Sequence, residues 1–243
     1  MIQLSRAKEV SVPKMPRRSP PGQTGGFRKP EAGPLTREGI IDAALNLLNQ
    51  AGLNRLSMRK LADALGVQAA SLYWHIRNKS ELLQLMADKI CEDMHWPEAT
   101  DMPWRERVRG GMVSYRKALL RYRDSAEIFA DTPPLTPHRL RLIESLYQTL
   151  RQAGLSREEV ALSADLLNNY VIGFVMEEVR FAGQAEKRVG DEAPSPEILS
   201  DMEKRFRFGL DIILDGIQAR LDRGAHSPAP QPHPEEGRGP GSR

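Results

Sequence analysis

Between Arg55 and Lys79 the chain carries five basic side chains against one acid, Asp63. Tyr73, Trp74 and His75 lie among them. This mixture suits recognition of a polyanion rather than catalysis. Lys and Arg attract a phosphate backbone, and an outward Tyr-Trp pair makes sense when a second surface covers it. No nucleophile–base pair, phosphate-binding loop or metal-ligand cluster stands out elsewhere in the sequence.

The spacing within this stretch predicts two short helices. Leu61, Ala62 and Leu65 share one face, and Leu72 and Ile76, four apart, share another. Gly66 permits a tight turn between them, and Val67 can plug the corner. Two short helices joined in this way pack at a steep angle as a helix-turn-helix. On a 3.6-residue period Ala70, Ser71, Tyr73 and Trp74 then point outward, with His75 at the edge. A plain helical hairpin with Tyr and Trp against a neighbour would use the same residue types. Cap, glycine turn, apolar faces and charge agree on a DNA-reading head, with short side chains entering the major groove.

The elements that must position this head are also helical. Thr36 caps a helix carrying Ile40, Ile41, Ala44, Leu45 and Leu48, which Gly52 stops. Ser57 caps the second helix, the third runs from about 68 to 76, and Asn78 or Ser80 starts a fourth through Ile90. A fifth runs from Trp104 to about Tyr122. The Asp131-Thr132-Pro133-Pro134 stretch is a break, and a helix from about Pro137 ends at Gly154. Ser156 and Glu159 form a capping box for an apolar helix reaching about Phe181. A polar loop spans 183–196, and Ser195-Pro196-Glu197 starts a last helix whose stripe runs from Leu199 to Leu221. The expected fold is all-α: a three-helix helix-turn-helix domain over 35–80, then a larger helical ligand-binding and dimerisation domain over 81–223.

The head resembles a known family. Gly66-Val67, Ser71-Leu72-Tyr73-Trp74-His75-Ile76 and Asn78-Lys79 are similar to the DNA-binding signature of the TetR family, and within it to the tetracycline repressors. The likeness continues at 114–124, at Gly173 and at Glu177-Glu178, covering roughly 35–180. It implies a homodimer that binds a palindromic operator on double-stranded DNA and lets go when a small-molecule effector occupies the body. The positions matching the family's DNA contacts are Met58, Arg59, Ala69, Ala70, Ser71, Tyr73, Trp74, His75 and Lys79. Arg59 is the candidate for a bidentate guanine contact. Ala69-Ala70 replaces Gln-Pro and Met58 replaces Thr, so a different operator is expected.

The same resemblance assigns a pocket. His95 matches the drug-binding histidine, Glu177 the glutamate supplied by the partner subunit, Thr132 a threonine of the metal shell and Tyr115 an aromatic lining position. The asparagine that touches the drug falls on Gly111, the metal-binding histidine on Phe129 and a glutamine on Leu146. A phenyl group cannot ligate a hard cation, so the expectation is an apolar pocket with no metal and no cofactor. The dimer is expected through helices near 156–181 and 196–222, with a close helix approach at Gly173. The basic run from Arg105 to Arg123 reads as a solvated face, and Glu177-Glu178 likewise.

The remaining composition sets bounds. The 243 residues have 40% hydrophobic content and a net charge of +3, and Cys91 is the single cysteine. No intrachain disulfide or cysteine-based zinc site can form. No apolar run is long enough to cross a membrane, and the N-terminus lacks a signal peptide's core; a cytoplasmic protein is expected. Residues 1–34, with seven Lys/Arg against two Glu, and the Pro/Gly-rich 224–243 read as disordered tails. The first is either an arm on DNA phosphates or solvated chain. Repression is the leading reading. An activator or a shape-reading DNA binder remains open, and a carrier or enzyme on the same scaffold is disfavoured.

Overall fold

A computed structural model describes residues 34–98, 101–185 and 201–225; the expected tails, apart from Pro34, Gly224 and Ala225, and the expected Ser195-Pro196-Glu197 helix start lie outside these. Among the described residues there is no strand. The helices are α1 (Arg37–Ala51), α2 (Met58–Leu65), α3 (Ala69–Tyr73), α4 (Lys79–Cys91), α5 (Trp104–Arg121), α6 (Ser125–Asp131), α7 (Pro137–Ala153), α8 (Arg157–Ala185) and α9 (Met202–Ala225), with a 3-10 turn at Leu53–Arg55.

Local chemistry sets most helix ends. Oγ1 of Thr36 accepts from the Gly39 N–H at 3.1 Å, and Oγ of Ser57 from that of Lys60 at 3.3 Å. Asn78 caps α4 by accepting from Glu81 N–H at 2.9 Å. The Ser156–Glu159 capping box is reciprocal: Glu159 accepts from Ser156 N–H at 3.1 Å, and Ser156 Oγ from Glu159 N–H at 3.3 Å. Gly66 ends α2 at φ 68°, the left-handed region where a side chain is strained.

Two elements depart from expectation. Helix α3 ends at Tyr73, short of 76, because the N–H groups of His75 and Ile76 both turn back to the Leu72 carbonyl. Helix α6 is not among the expected elements, although Asp124 and Glu127 have the spacing of an N-terminal cap. Asp124, its N-cap residue, sits at φ 54° and makes no cap bond. Its carboxylate is engaged elsewhere, accepting from the Leu53 N–H at 2.8 Å. The Arg123 N–H donates in turn to Asn49 at 2.9 Å. The turn before α6 therefore grips the end of α1.

Helix α1 packs on α2 and on α4, and α2 on α3; α4 continues into the body against α5, α6 and α7. Ile40, Leu48, Leu61, Leu72, Ile76, Leu82 and Met86 are fully buried, so one core runs from the head along α4. Helices α5, α7 and α8 form the centre of the body, and α9 lies on α8 and α5.

The basic run on α5 is a solvated face only in part, which corrects the sequence-based expectation: Lys117 and Arg121 are exposed, but Arg105, Arg109 and Arg116 are drawn into ion pairs with neighbouring helices. Arg105 pairs with Asp215, and Arg109 with Asp211 at 2.7 Å, joining α5 to α9. Arg116 is buried and grips Glu178 with two bonds, Nε at 2.9 Å and Nη2 at 2.7 Å, while Nη1 reaches Glu203. The rings of Phe174 and Phe206 flank it, with centroids 5.8 and 5.2 Å away. Glu178, read as solvated, is thus the buried half of an ion pair. The position is legible only in three dimensions, because the partners lie 62 and 87 residues away.

Candidate nucleic-acid interface and ligand cavity

The head presents a distinct front. Leu72 and Ile76 anchor the α3 region in the core, leaving Tyr73 51% and Trp74 89% exposed. Arg59, Ala70 and Lys79 are exposed beside them, and Ala69, Ser71 and His75 half-buried. Large aromatics this exposed on a soluble surface mark an interaction site when basic residues surround them. Met58 does not join this front. Its side chain is buried in the core of the head, so its expected DNA contact is corrected to a packing role.

Behind the front, Glu81 ties three segments together. Its carboxylate accepts from the Arg77 backbone N–H at 2.8 Å, from Arg77 Nε at 3.1 Å and from Arg37 at 2.6 Å. The backbone bond from Arg77, together with the two guanidinium groups, holds Glu81 below the usual glutamate range.

The far end of α4 forms part of a cavity of about 550 Å³. Of the residues matched to the family pocket, His95, Gly111, Tyr115, Phe129, Thr132 and Leu146 line it. Glu177 does not. It is exposed on α8 and lies 3.9 Å from Arg205. Tyr115 donates to Asn168 at 3.1 Å and packs on Phe129, with centroids 5.6 Å apart; burial raises its phenol above the ordinary range. Burial likewise pushes the Cys91 thiol up to about 12, so it stays a neutral wall residue.

Two lining residues escaped the sequence reading. Trp96 lies against Gly111 so closely that a Cβ there would stand 2.2 Å from the indole. The ring occupies the volume into which a side chain at 111 would project. Its Nε1 is buried without a hydrogen-bond partner among the described residues. Nothing in the local sequence marks this contact.

The second is Arg139, 7% exposed, in the first turn of α7. Nη1 donates to Thr132 Oγ1 at 2.8 Å and to the carbonyls of Thr132 at 3.1 Å and Pro133 at 3.3 Å. The guanidinium lies 4.6 Å from the Phe129 ring centroid. No carboxylate pairs with it among the described residues. Asp88, the acid at this junction, is bonded to the His138 ring at 3.0 Å and to the backbone N–H groups of His138 and Arg139. Burial therefore dominates and disfavours the Arg139 charge. A cation near the positive end of a helix dipole is itself unusual, a signal the sequence did offer.

These residues do not fit a divalent cation. Phe129 offers a phenyl group where the resemblance places a histidine. The Thr132 hydroxyl oxygen already accepts from Arg139, whose charge repels a metal ion.

The comparisons with known proteins agree with this geometry. Residues 40–86 match the model of bacterial regulatory proteins of the tetR family, and residues 96–221 that of the tetracyclin repressor-like C-terminal domain. The chain is 34% identical to the class C tetracycline repressor protein of Escherichia coli over 193 residues, covering 78% of this chain and 87% of the repressor. The crystal structure of Streptomyces coelicolor ActR with actinorhodin superposes with TM-score 0.67 at 33% identity, covering 78% of this chain and 99% of that one. The structure of BioQ with its double-stranded DNA operator gives 0.60 at 32% identity, covering 76% and 99%. With a helix-turn-helix front at one end of α4 and a cavity at the other, the chain belongs to the TetR family of bacterial transcriptional regulators.

Proposed function

We propose that this regulator is a repressor that binds a palindromic operator as a homodimer and is released by a small, largely apolar effector without a metal ion. It acts in the cytoplasm and has no enzymatic role. The head comprises 35–80 and the effector and dimerisation body 81–223. The carrying observation is that α4 has Lys79 beside the exposed Tyr73–Trp74 front and Cys91 in the cavity wall. An effector that favours one position of α4 would change the spacing of two heads. Half-sites lie about one helical turn apart, so a shift of a few ångströms breaks the register. The contacts of Arg123 with α1 and of Asp124 with the 3-10 turn after it supply a second link from body to head.

Exposed apolar side chains support the dimer. Leu162 and Leu166 on α8, with Phe208 and Ile212 on α9, are all more than half exposed. Gly173 and Gly216 lie on the same two helices, and a Cβ at either would meet nothing within 4 Å. The close approach expected at Gly173 is therefore absent among the described residues of one protomer, and the space is available to a second. Glu177 faces outward on α8, as a residue reaching a partner's cavity would.

The test is selection of binding sites from random DNA, followed by gel-shift titration and a screen for compounds that abolish binding. A palindromic site bound by two chains, and released by a compound, is expected. Arg59→Ala is expected to lower affinity for the selected site by about 1–3 kcal/mol. Full-affinity binding of a palindrome by a crosslinking-verified monomer would overturn the two-headed mechanism.

A further inference from the structure

The cavity is mostly hydrocarbon; its one acid, Asp165, and Asn168 are exposed, whereas the two buried polar groups that stand out in it, on Arg139 and Trp96, are donors. Arg139 is a buried cation held only by carbonyls, a hydroxyl and a ring face. The buried Nε1 of Trp96 meets no acceptor among the described residues. An isolated buried charge is expensive unless an opposite charge joins it. Elsewhere in the same fold a buried arginine is given two carboxylates.

We infer that the effector brings the missing anion: an aromatic molecule bearing an ionised oxygen acid, a carboxylate or an acidic phenolate, seated with that group on Arg139. The assignment rests on the cavity being the effector site. Phe129, Tyr115 and Trp96 supply surfaces for flat rings, and guanidinium geometry suits two parallel bonds to a carboxylate. Oxygen acceptors elsewhere on the ligand can answer the Trp96 N–H. The acid also competes with the Thr132 and Pro133 carbonyls for the same guanidinium, so binding is felt at the junction of α6 and α7.

The test uses matched probes on the full-length chain: 2-naphthoate against 2-naphthamide, and anthracene-2-carboxylate against its carboxamide, each titrated by calorimetry. The wild-type protein is expected to bind the carboxylates about tenfold or more tighter than the amides. Arg139→Met is expected to reduce that preference to within about twofold, the carboxylates losing more affinity than the amides, and Arg139→Lys to retain a preference. Equal binding of acid and amide by the wild-type chain overturns the inference and leaves the cavity as effector site. A preference that survives in Arg139→Met also overturns it. If no probe of either kind binds, the cavity reading fails and the inference with it. The wild-type comparison stands even if a variant does not fold.

Discussion

Two arginines are buried in the body to nearly the same extent, Arg116 at 5% and Arg139 at 7% exposure. Both lie against aromatic rings, yet their surroundings differ in one respect. For Arg116, burial opposes the charge, and Glu178 and Glu203 more than reverse it, holding the guanidinium above its usual range. For Arg139 burial prevails. The first is a closed ion-pair cluster that ties α5 to α8 and α9. The second is an open one beside the cavity. A completed cluster serves the frame, and an incomplete one leaves a place for a ligand.

The difference can be broken from the frame side first. Arg116→Met leaves Glu178 as an uncompensated buried carboxylate, so a loss of about 3–5 kcal/mol is expected in chemical denaturation. A loss under about 1 kcal/mol would show the cluster to be dispensable. On the cavity side, Gly111→Asn forces a side chain into the Trp96 ring and should cost about 1–3 kcal/mol through overpacking. Adding Trp96→Ala should recover part of that loss, since the two sites share one volume. Strictly additive losses would mean the crowding at 111 has another source.

The smallest effect sharpens the description of the closed cluster. Burial pushes Glu203 up, but hydrogen bonds from Arg207 and Arg116 more than reverse it, so its pKa lies below the ordinary range. A depressed carboxylate contributes stability that is present above its unfolded value, about 4.3, and lost as pH falls through its folded value. Thermal midpoints measured across this range should therefore drop less steeply on acidification in Glu203→Gln than in wild type. Parallel curves would remove Glu203 from the cluster.

Much of the reading head was legible in the sequence, because its determinants are local. Thr36, Ser57, Asn78 and Gly66 act within three or four residues of themselves, and the Leu72–Ile76 spacing fixes which face is out. Met58 was misplaced because its match to a contact position rested on resemblance, whereas its side chain follows packing. In the body, the cavity positions carried over by resemblance do line one space, apart from Glu177. What escaped depends on distant partners. Arg116 needs Glu178 and Glu203, Trp96 needs Gly111 across a loop, and α6 starts at a residue whose carboxylate is spent on Leu53. The two side-chain contacts have no short-range pattern, and the cap spacing at Asp124 is overridden by its distant bond to Leu53.

The contact between Trp96 and Gly111 also constrains how this chain can diverge. A bulkier residue at 111 crowds the ring unless position 96 has been trimmed, and trimming 96 first opens a void that a larger neighbour can then fill. The two positions can change in one order more readily than in the other. Replacing Trp96 before Gly111 therefore avoids the clash that an asparagine at 111 would meet.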